Sequence, residues 1–229
     1  MNILGVGAHP DDLDFSSAGT FAKWVMEGNN CYYLICTDGR KGSDDREISE
    51  SGLVAARRGE QQEAGRILGL KDIFFLGHHD TELEPSLEIK KEITRYIRMI
   101  KPEIVVGLDP AFLYSENLGF INHTDHRAAG LATMDAVYPL SRDRLTFPEL
   151  EQEGLKPHKV SQLYLVRFES PKVAVDVSET MEIKLKVANA HKTQVSKEAI
   201  KLVIKRAEYL GKLFGFKYAE GFTVINIPS

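Results

Sequence analysis

The chain has 229 residues, 43% of them hydrophobic and 27% charged, enough to bury a core without disulfide staples. Lys and Arg number 29 against 33 Asp and Glu, and the net charge of −4 leaves no electrostatic footprint for nucleic acid or an anionic membrane. No apolar run approaches a membrane span, and the opening MNILGVGAHPDD lacks the basic region of a signal peptide, so a cytoplasmic protein is expected.

Residues 2–7 are short and apolar and end in glycine, which predicts a strand. Residues 15–27 carry Phe21, Trp24 and Val25 at helical spacing. CYYLICT predicts a second strand. Its Cys31 and Cys36 stand about 16 Å apart at roughly 3.3 Å per residue, too far for a disulfide, and read as buried free thiols. After a polar, glycine-bearing loop, residues 53–70 predict a helix with a stop at Gly69. Residues 72–76 predict a third strand, 87–100 an amphipathic helix and 103–108 a fourth strand. Strand–helix alternation with near-continuous apolar strands argues a parallel sheet covered on both faces.

A helix is expected over 122–136. Residues 138–159 then form a long charged loop with three prolines, a length usual for functional or disordered loops. Strands at 162–167 and 172–177, helices at roughly 179–194 and 197–213, and a tail strand in YAEGFTVINI complete the pattern. The expected fold is α/β, a Rossmann-like three-layer αβα sandwich with a mostly parallel sheet. No internal boundary is visible, so 1–229 reads as one domain. Its Rossmann-like half, 1–137, bears the site, and 138–229 adds the loop, two strands and C-terminal helices.

Ligands of an open parallel sheet bind beyond the carboxyl ends of the strands. Five of the seven histidines fall in those segments: His9 before Pro10-Asp11-Asp12, His78 and His79 before Asp80, and His123 and His126 around Thr124-Asp125. Gly5-Val6-Gly7 begins like a dinucleotide fingerprint, but Pro10 lacks an N–H and Asp11 and Asp12 repel phosphate. A metal suits the residues better. His9 and Asp12 are three residues apart, as are His123 and His126, which puts each pair on one side of a helix's first turn. Imidazole plus carboxylate with an open position is catalytic-zinc chemistry. Asp11 would then take a proton from the bound water, the remaining histidine would face an oxyanion, and Asp125 would orient a histidine from behind. Taken singly, each cluster has a plain alternative: a helix cap by Asp12 or Asp14, or a surface histidine. Together, each behind a strand, they point to a site.

AHPDD after the first strand and HTDH after the fourth resemble the zinc-dependent N-deacetylases of the LmbE/PIG-L type. That family includes deacetylases of N-acetylglucosaminyl-phosphatidylinositol, of the mycothiol and bacillithiol pathways, and of diacetylchitobiose. Arg57-Arg58-Gly59-Glu60 is similar to the family's R-x-x-E helix, Phe75-Leu76-Gly77 with Asp80 to its FLG-x-x-D loop, and His191-Lys192-Thr193-Gln194 to its late H-x-[ST]-Q segment. Tyr218-Ala219-Glu220 before Phe222 resembles the tail of the bacillithiol-like branch. The resemblance implies zinc held by His9, Asp12 and His126, Asp11 as general base, and His123 as the electrostatic or acid partner with Asp125 behind it. Arg57 and Asp80 would lie on the substrate side. His191 would lie near the site, at a subunit contact or on a helix surface. Leu13 stands where many members have Glu, Ser17-Ala18-Gly19 where many have Cys-Gly-Gly, and the 138–159 loop matches no branch.

The expected function is hydrolytic removal of an N-acetyl group from an amino sugar or glycoconjugate through a metal-activated water. Protonated His123 would hold the oxyanion, and the leaving amine would take its proton from Asp11 or His123. A His2Asp set accepts zinc, iron or manganese. A thiol-pathway conjugate as substrate, an ester-cutting metal hydrolase, and a non-catalytic binding protein on the same scaffold are the alternatives. The resemblance also implies a homo-oligomer.

Overall fold

A computed structural model describes residues 1–116, 119–167 and 169–228. The first half alternates strand and helix: β1 (Asn2–Gly7), α1 (Asp12–Met26), β2 (Asn30–Thr37), α2 (Glu50–Leu68), β3 (Asp72–His78), α3 (Leu87–Ile100) and β4 (Ile104–Leu108). A small hairpin, β5 (Tyr114–Ser115) and β6 (Phe120–Ile121), precedes α4 (Thr124–Asp135), which runs into a π-helical turn (Ala136–Leu140). Then follow α5 (Pro148–Gln152), β7 (Gln162–Val166), β8 (Val173–Asp176), α6 (Met181–Ala188), α7 (Lys197–Phe214) and β9 (Ala219–Asn226). None of the helices among the described residues is long and apolar enough to cross a membrane.

Seven strands form one sheet in the order β3-β2-β1-β4-β7-β9-β8. The first five of these pair in parallel, and β9 runs antiparallel to both its neighbours. This is the expected α/β sandwich with a mostly parallel sheet. Strand alternation feeds two cores. Leu4, Val6 and Val105 pack with Ile89, Ile93 and Ile97 of α3 and Ala128 and Ala132 of α4. Ile3, Tyr33 and Val106 pack on the other face with Phe21 of α1, Ala64 and Leu68 of α2, and Val187 of α6. Helix α1 lies so close to β1 that a Cβ at Gly5 would sit 2.8 Å from Leu13 and 2.9 Å from Phe21.

From β1 the chain steps outward to β2 and β3, then crosses back to β4 on the other side of β1. The gap between β1 and β4 is therefore the topological switch point, where the loops leaving the two strands diverge and open a crevice. The segments holding His9 and His126 both leave strands at that crevice.

The tail motif has a structural role. Buried Glu220 of β9 accepts the N–H groups of Gly19 (2.9 Å) and Thr20 (2.7 Å) in α1 and pairs with buried Lys184 of α6 at 2.5 Å. Two expectations change. Helix α6 stops at Ala188 rather than at 194, so His191 lies past its end. The 138–159 segment is ordered and contains two short helical pieces. It is pinned to α3 through Arg98, 0% exposed, whose guanidinium donates to the carbonyls of Leu140 (3.0 Å), Ser141 (3.2 Å), Asp143 (3.0 Å) and Thr146 (2.9 Å). Lys91–Glu149 and Arg95–Glu153 ion pairs continue the contact. Arg98 lies in the last turn of α3, where the chain enters β4, at the opposite end of the sheet from the crevice. The segment is not a lid over the site.

Replacing Arg98 by Met leaves one buried and three partly buried carbonyls without this donor, and should cost about 3 kcal/mol of stability. Urea denaturation measures it. An unchanged midpoint would mean that these carbonyls find other donors.

Candidate metal centre and base

Asp12 opens α1 and folds the strand end back on itself: its Oδ2 accepts the N–H groups of Ala8 at 2.8 Å and His9 at 2.7 Å. That leaves Oδ1 facing across the crevice, 3.0 Å from His126 Nε2 in the first turn of α4. His126 Nε2 is also 3.2 Å from His9 Nδ1, which is 3.6 Å from Asp12 Oδ2.

The outer nitrogens fix where the ring protons lie. Asn122 donates its amide N–H to the Phe112 carbonyl (2.8 Å), so its Oδ1 faces His126 Nδ1 at 3.1 Å and requires a proton there. His9 Nε2 lies 3.0 Å from Asp80 and 3.1 Å from Asp125, two carboxylates that also require a proton. Both inner nitrogens therefore present lone pairs toward the Asp12 carboxylate. Three acceptors converge with no donor among them, which fits a divalent cation. Their separations of 3.0 and 3.2 Å are close to the edge of about 3.4 Å expected of a tetrahedron with bonds of about 2.1 Å. The surroundings also favour positive charge: burial works against a cationic His9, yet the carboxylates of Asp12, Asp125 and Asp80 outweigh it and raise its pKa, and the same negative field favours a bound cation in place of a second ring proton.

The other face of the His9 ring gathers Asp80, Asp125 and His123, again within ligating distance of one another. Its carboxylates are already engaged. Asp125 accepts from the N–H groups of Thr81 (2.7 Å) and Leu83 (3.3 Å), and Asp80 from that of Lys41 (3.1 Å). Burial opposes the charge of Asp80, but its bonds to His9 and Lys41 hold its pKa at about 2. Asp125 thus stands behind His9, not behind His123, whose Nδ1 is 4.0 Å from it.

Asp11 projects between α1 and α2. Burial raises its carboxyl to about 6, although the Arg57 guanidinium 3.0 Å away pulls the other way. His123 caps α4: its Nδ1 accepts the Asp125 N–H at 3.1 Å, which puts the ring proton on Nε2. Burial and, after it, the neighbouring His9 lower its pKa, a direction that disfavours the imidazolium expected of it.

Arg57 and Asp80, expected on the substrate side, lie behind the site instead, and His191 lies buried behind Asp14. Arg57 is 3% exposed and its terminal nitrogens serve Asp11, the Pro10 carbonyl (2.7 Å) and the Gly39 carbonyl (2.9 Å). Asp80 supports His9. His191 is 0% exposed, 2.7 Å from Asp14, and therefore neither a helix-surface residue nor an exposed contact. Two residues went unrecognised in the sequence. Asn122 orients His126, and Gln61 accepts the Asp11 N–H at 2.9 Å. The signal for Gln61 was its position one turn after Arg57, on the same helix face.

Known proteins resemble this chain over most of its length. The family model for PIG-L, GlcNAc-PI de-N-acetylase, matches residues 4–137. The diacetylchitobiose deacetylase of Thermococcus kodakarensis is 34% identical over 97% of this chain and 82% of its own length. A probable N-acetyl-alpha-D-glucosaminyl L-malate deacetylase 2 of Bacillus anthracis is 26% identical over 88% of this chain and 84% of its own. The crystal structure of N,N'-diacetylchitobiose deacetylase from Pyrococcus horikoshii superposes with a TM-score of 0.90 at 31% identity, covering 98% of this chain and 84% of that one. By its motifs, its fold and these relatives, the chain belongs to the PIG-L family of de-N-acetylases.

Proposed function

We propose that this protein is a zinc-dependent N-deacetylase that hydrolyses the acetamide of an N-acetylated amino sugar, releasing acetate and a free amine. One observation carries the reading: three acceptor atoms, from His9, Asp12 and His126, converge, and the residue before Asp12 in the chain, Asp11, has a carboxyl raised to about 6. The amino-sugar substrate is supported by the likeness to the diacetylchitobiose and N-acetylglucosaminyl malate deacetylases.

When bound by these three side chains, a divalent cation would polarise the amide oxygen and make a water more acidic. The chain's own groups do the rest. Asp11 accepts the proton of the attacking water, because its raised pKa makes it a stronger base than an exposed carboxylate. His123 offers its Nε2–H to the oxygen on which negative charge develops, a role that needs a donor and not a full cation. Asp11 then passes its proton to the leaving nitrogen. Asp80, Asp125 and Asn122 keep the two liganding rings in place.

Acetate release from N,N'-diacetylchitobiose and N-acetylglucosamine, with elemental analysis of the purified protein, tests the reading. About one zinc per chain with acetate release is expected. His126→Ala should lose the metal. Asp11→Asn should keep it and lose about 1000-fold in turnover; full turnover in that variant would remove Asp11 from its role. The pH profile provides a separate check. As pH falls through about 6, Asp11 takes up a proton and can no longer act as base, so kcat/KM should fall about tenfold per pH unit. Arg57→Gln removes the cation that stabilises ionised Asp11, so this acid limb should move to higher pH. A limb unmoved by the substitution would assign it to another group.

A further inference from the structure

We infer that Gln61 is a positioning residue for Asp11, and that the buried pair Asp14–His191 sets the direction of its amide. This rests on the reading of Asp11 as the base.

Asp11 has φ 108° and ψ −27°, a left-handed conformation that residues with a Cβ rarely adopt. It precedes α1 but makes no side-chain cap; its Oδ2 pairs with Arg57 Nη2 at 3.0 Å. The peptide that fixes this conformation is Pro10–Asp11, and both of its poles are held from α2. Arg57 Nη2 donates to the Pro10 carbonyl at 2.7 Å, and Gln61 Oε1 accepts the Asp11 N–H at 2.9 Å. Arg57 and Gln61 stand one turn apart on the same face of the helix. Rotating this peptide would change φ at Asp11 and move its carboxylate.

The Gln61 amide has one workable orientation. Its Nε2 donates to Asp14 Oδ2 at 2.8 Å, and Asp14 is wholly buried. A flipped amide would set donor against donor at Asp11 and acceptor against carboxylate at Asp14. The same Asp14 oxygen meets His191 Nε2 at 2.7 Å. The segment carrying His191 is itself fastened at two further points. Thr193 donates from its N–H (2.9 Å) and hydroxyl (2.7 Å) to Glu60, and Gln194 donates to the Gly42 carbonyl at 2.9 Å. The R-x-x-E helix and the H-x-T-Q segment are thus two halves of one brace behind the base. Gln61 is 1% exposed and bonds the Asp11 N–H, so it acts through Asp11 and not on substrate.

The test uses the full-length, zinc-loaded protein with N,N'-diacetylchitobiose as probe. Gln61→Leu should lower kcat about 100-fold while KM and zinc content stay near wild type. Gln61→Glu alone sets two carboxylates against each other and should also be slow. The double variant Gln61→Glu/Asp14→Asn exchanges the two groups. The carboxylate introduced on α2 can accept from both the Asp11 N–H and the new amide nitrogen on α1, and the second hydrogen of that nitrogen can go to His191 Nε2 once the ring proton sits on Nδ1, which has no partner in the wild type. The exchange should return kcat to within about fivefold of wild type. Wild-type kcat in Gln61→Leu at full zinc, a loss confined to KM, or a double variant no faster than Gln61→Glu would each overturn the proposal. If Gln61→Leu does not fold, the exchange pair alone decides. Asp11→Asn run alongside reports separately on the base: activity there would fail that reading whatever Gln61 does.

Discussion

The centre depends on where two protons sit. Each of His9 and His126 has one nitrogen committed outward, His9 to the Asp80 and Asp125 carboxylates and His126 to the Asn122 oxygen. Those commitments turn the remaining lone pairs inward, onto the one oxygen of Asp12 that the backbone leaves free. A ring that could exchange its tautomer freely would instead share a proton with Asp12 and present no cation site. The buried acids behind His9 therefore matter as much as the three atoms in front, since they determine which face of the imidazole is basic.

The fold supplies the distances. Strand β1 is central and β4 lies directly beside it, so the loops that leave them are neighbours although more than a hundred residues separate His9 from His126. Asp12 links two levels of the structure. One of its oxygens turns the chain from β1 into α1 and the other faces the crevice, so helix start and site geometry share one carboxylate. Helix α2 covers the second core and sends Arg57 and Gln61 toward the turn at Asp11, while Ala64 and Leu68 pack against the sheet. The site is braced by elements whose other faces hold the core.

His9, Asp11, Asp12, His123 and His126 were legible in the sequence because titratable groups cluster behind apolar strands, where chains usually place turns of no special chemistry. Arg57 and Asp80 were legible as motifs but expected on the substrate side, and His191 was left among three placements. Spacing shows that two residues share a helix face, but not whether that face looks into a crevice or into the protein. The β5–β6 hairpin escaped because strands of two residues carry no periodicity. The 138–159 segment escaped for a different reason. Arg98 holds it by backbone carbonyls, which every residue type offers alike, so nothing in the letters of that segment records the contact.

The position of β9 between β7 and β8 constrains the order of assembly. During synthesis β8 emerges before the strand that must lie between it and the rest of the sheet, and Lys184 emerges before Glu220. The first five strands of the sheet can pair as they appear, each docking beside one already made. Until β9 arrives, β8 has an open edge, Lys184 lacks its carboxylate, and the N–H groups of Gly19 and Thr20 lack their acceptor. A nascent chain arrested between residues 190 and 218 would carry the complete set of site side chains up to His126 on an unfinished sheet, with one edge exposed to chaperones and proteases.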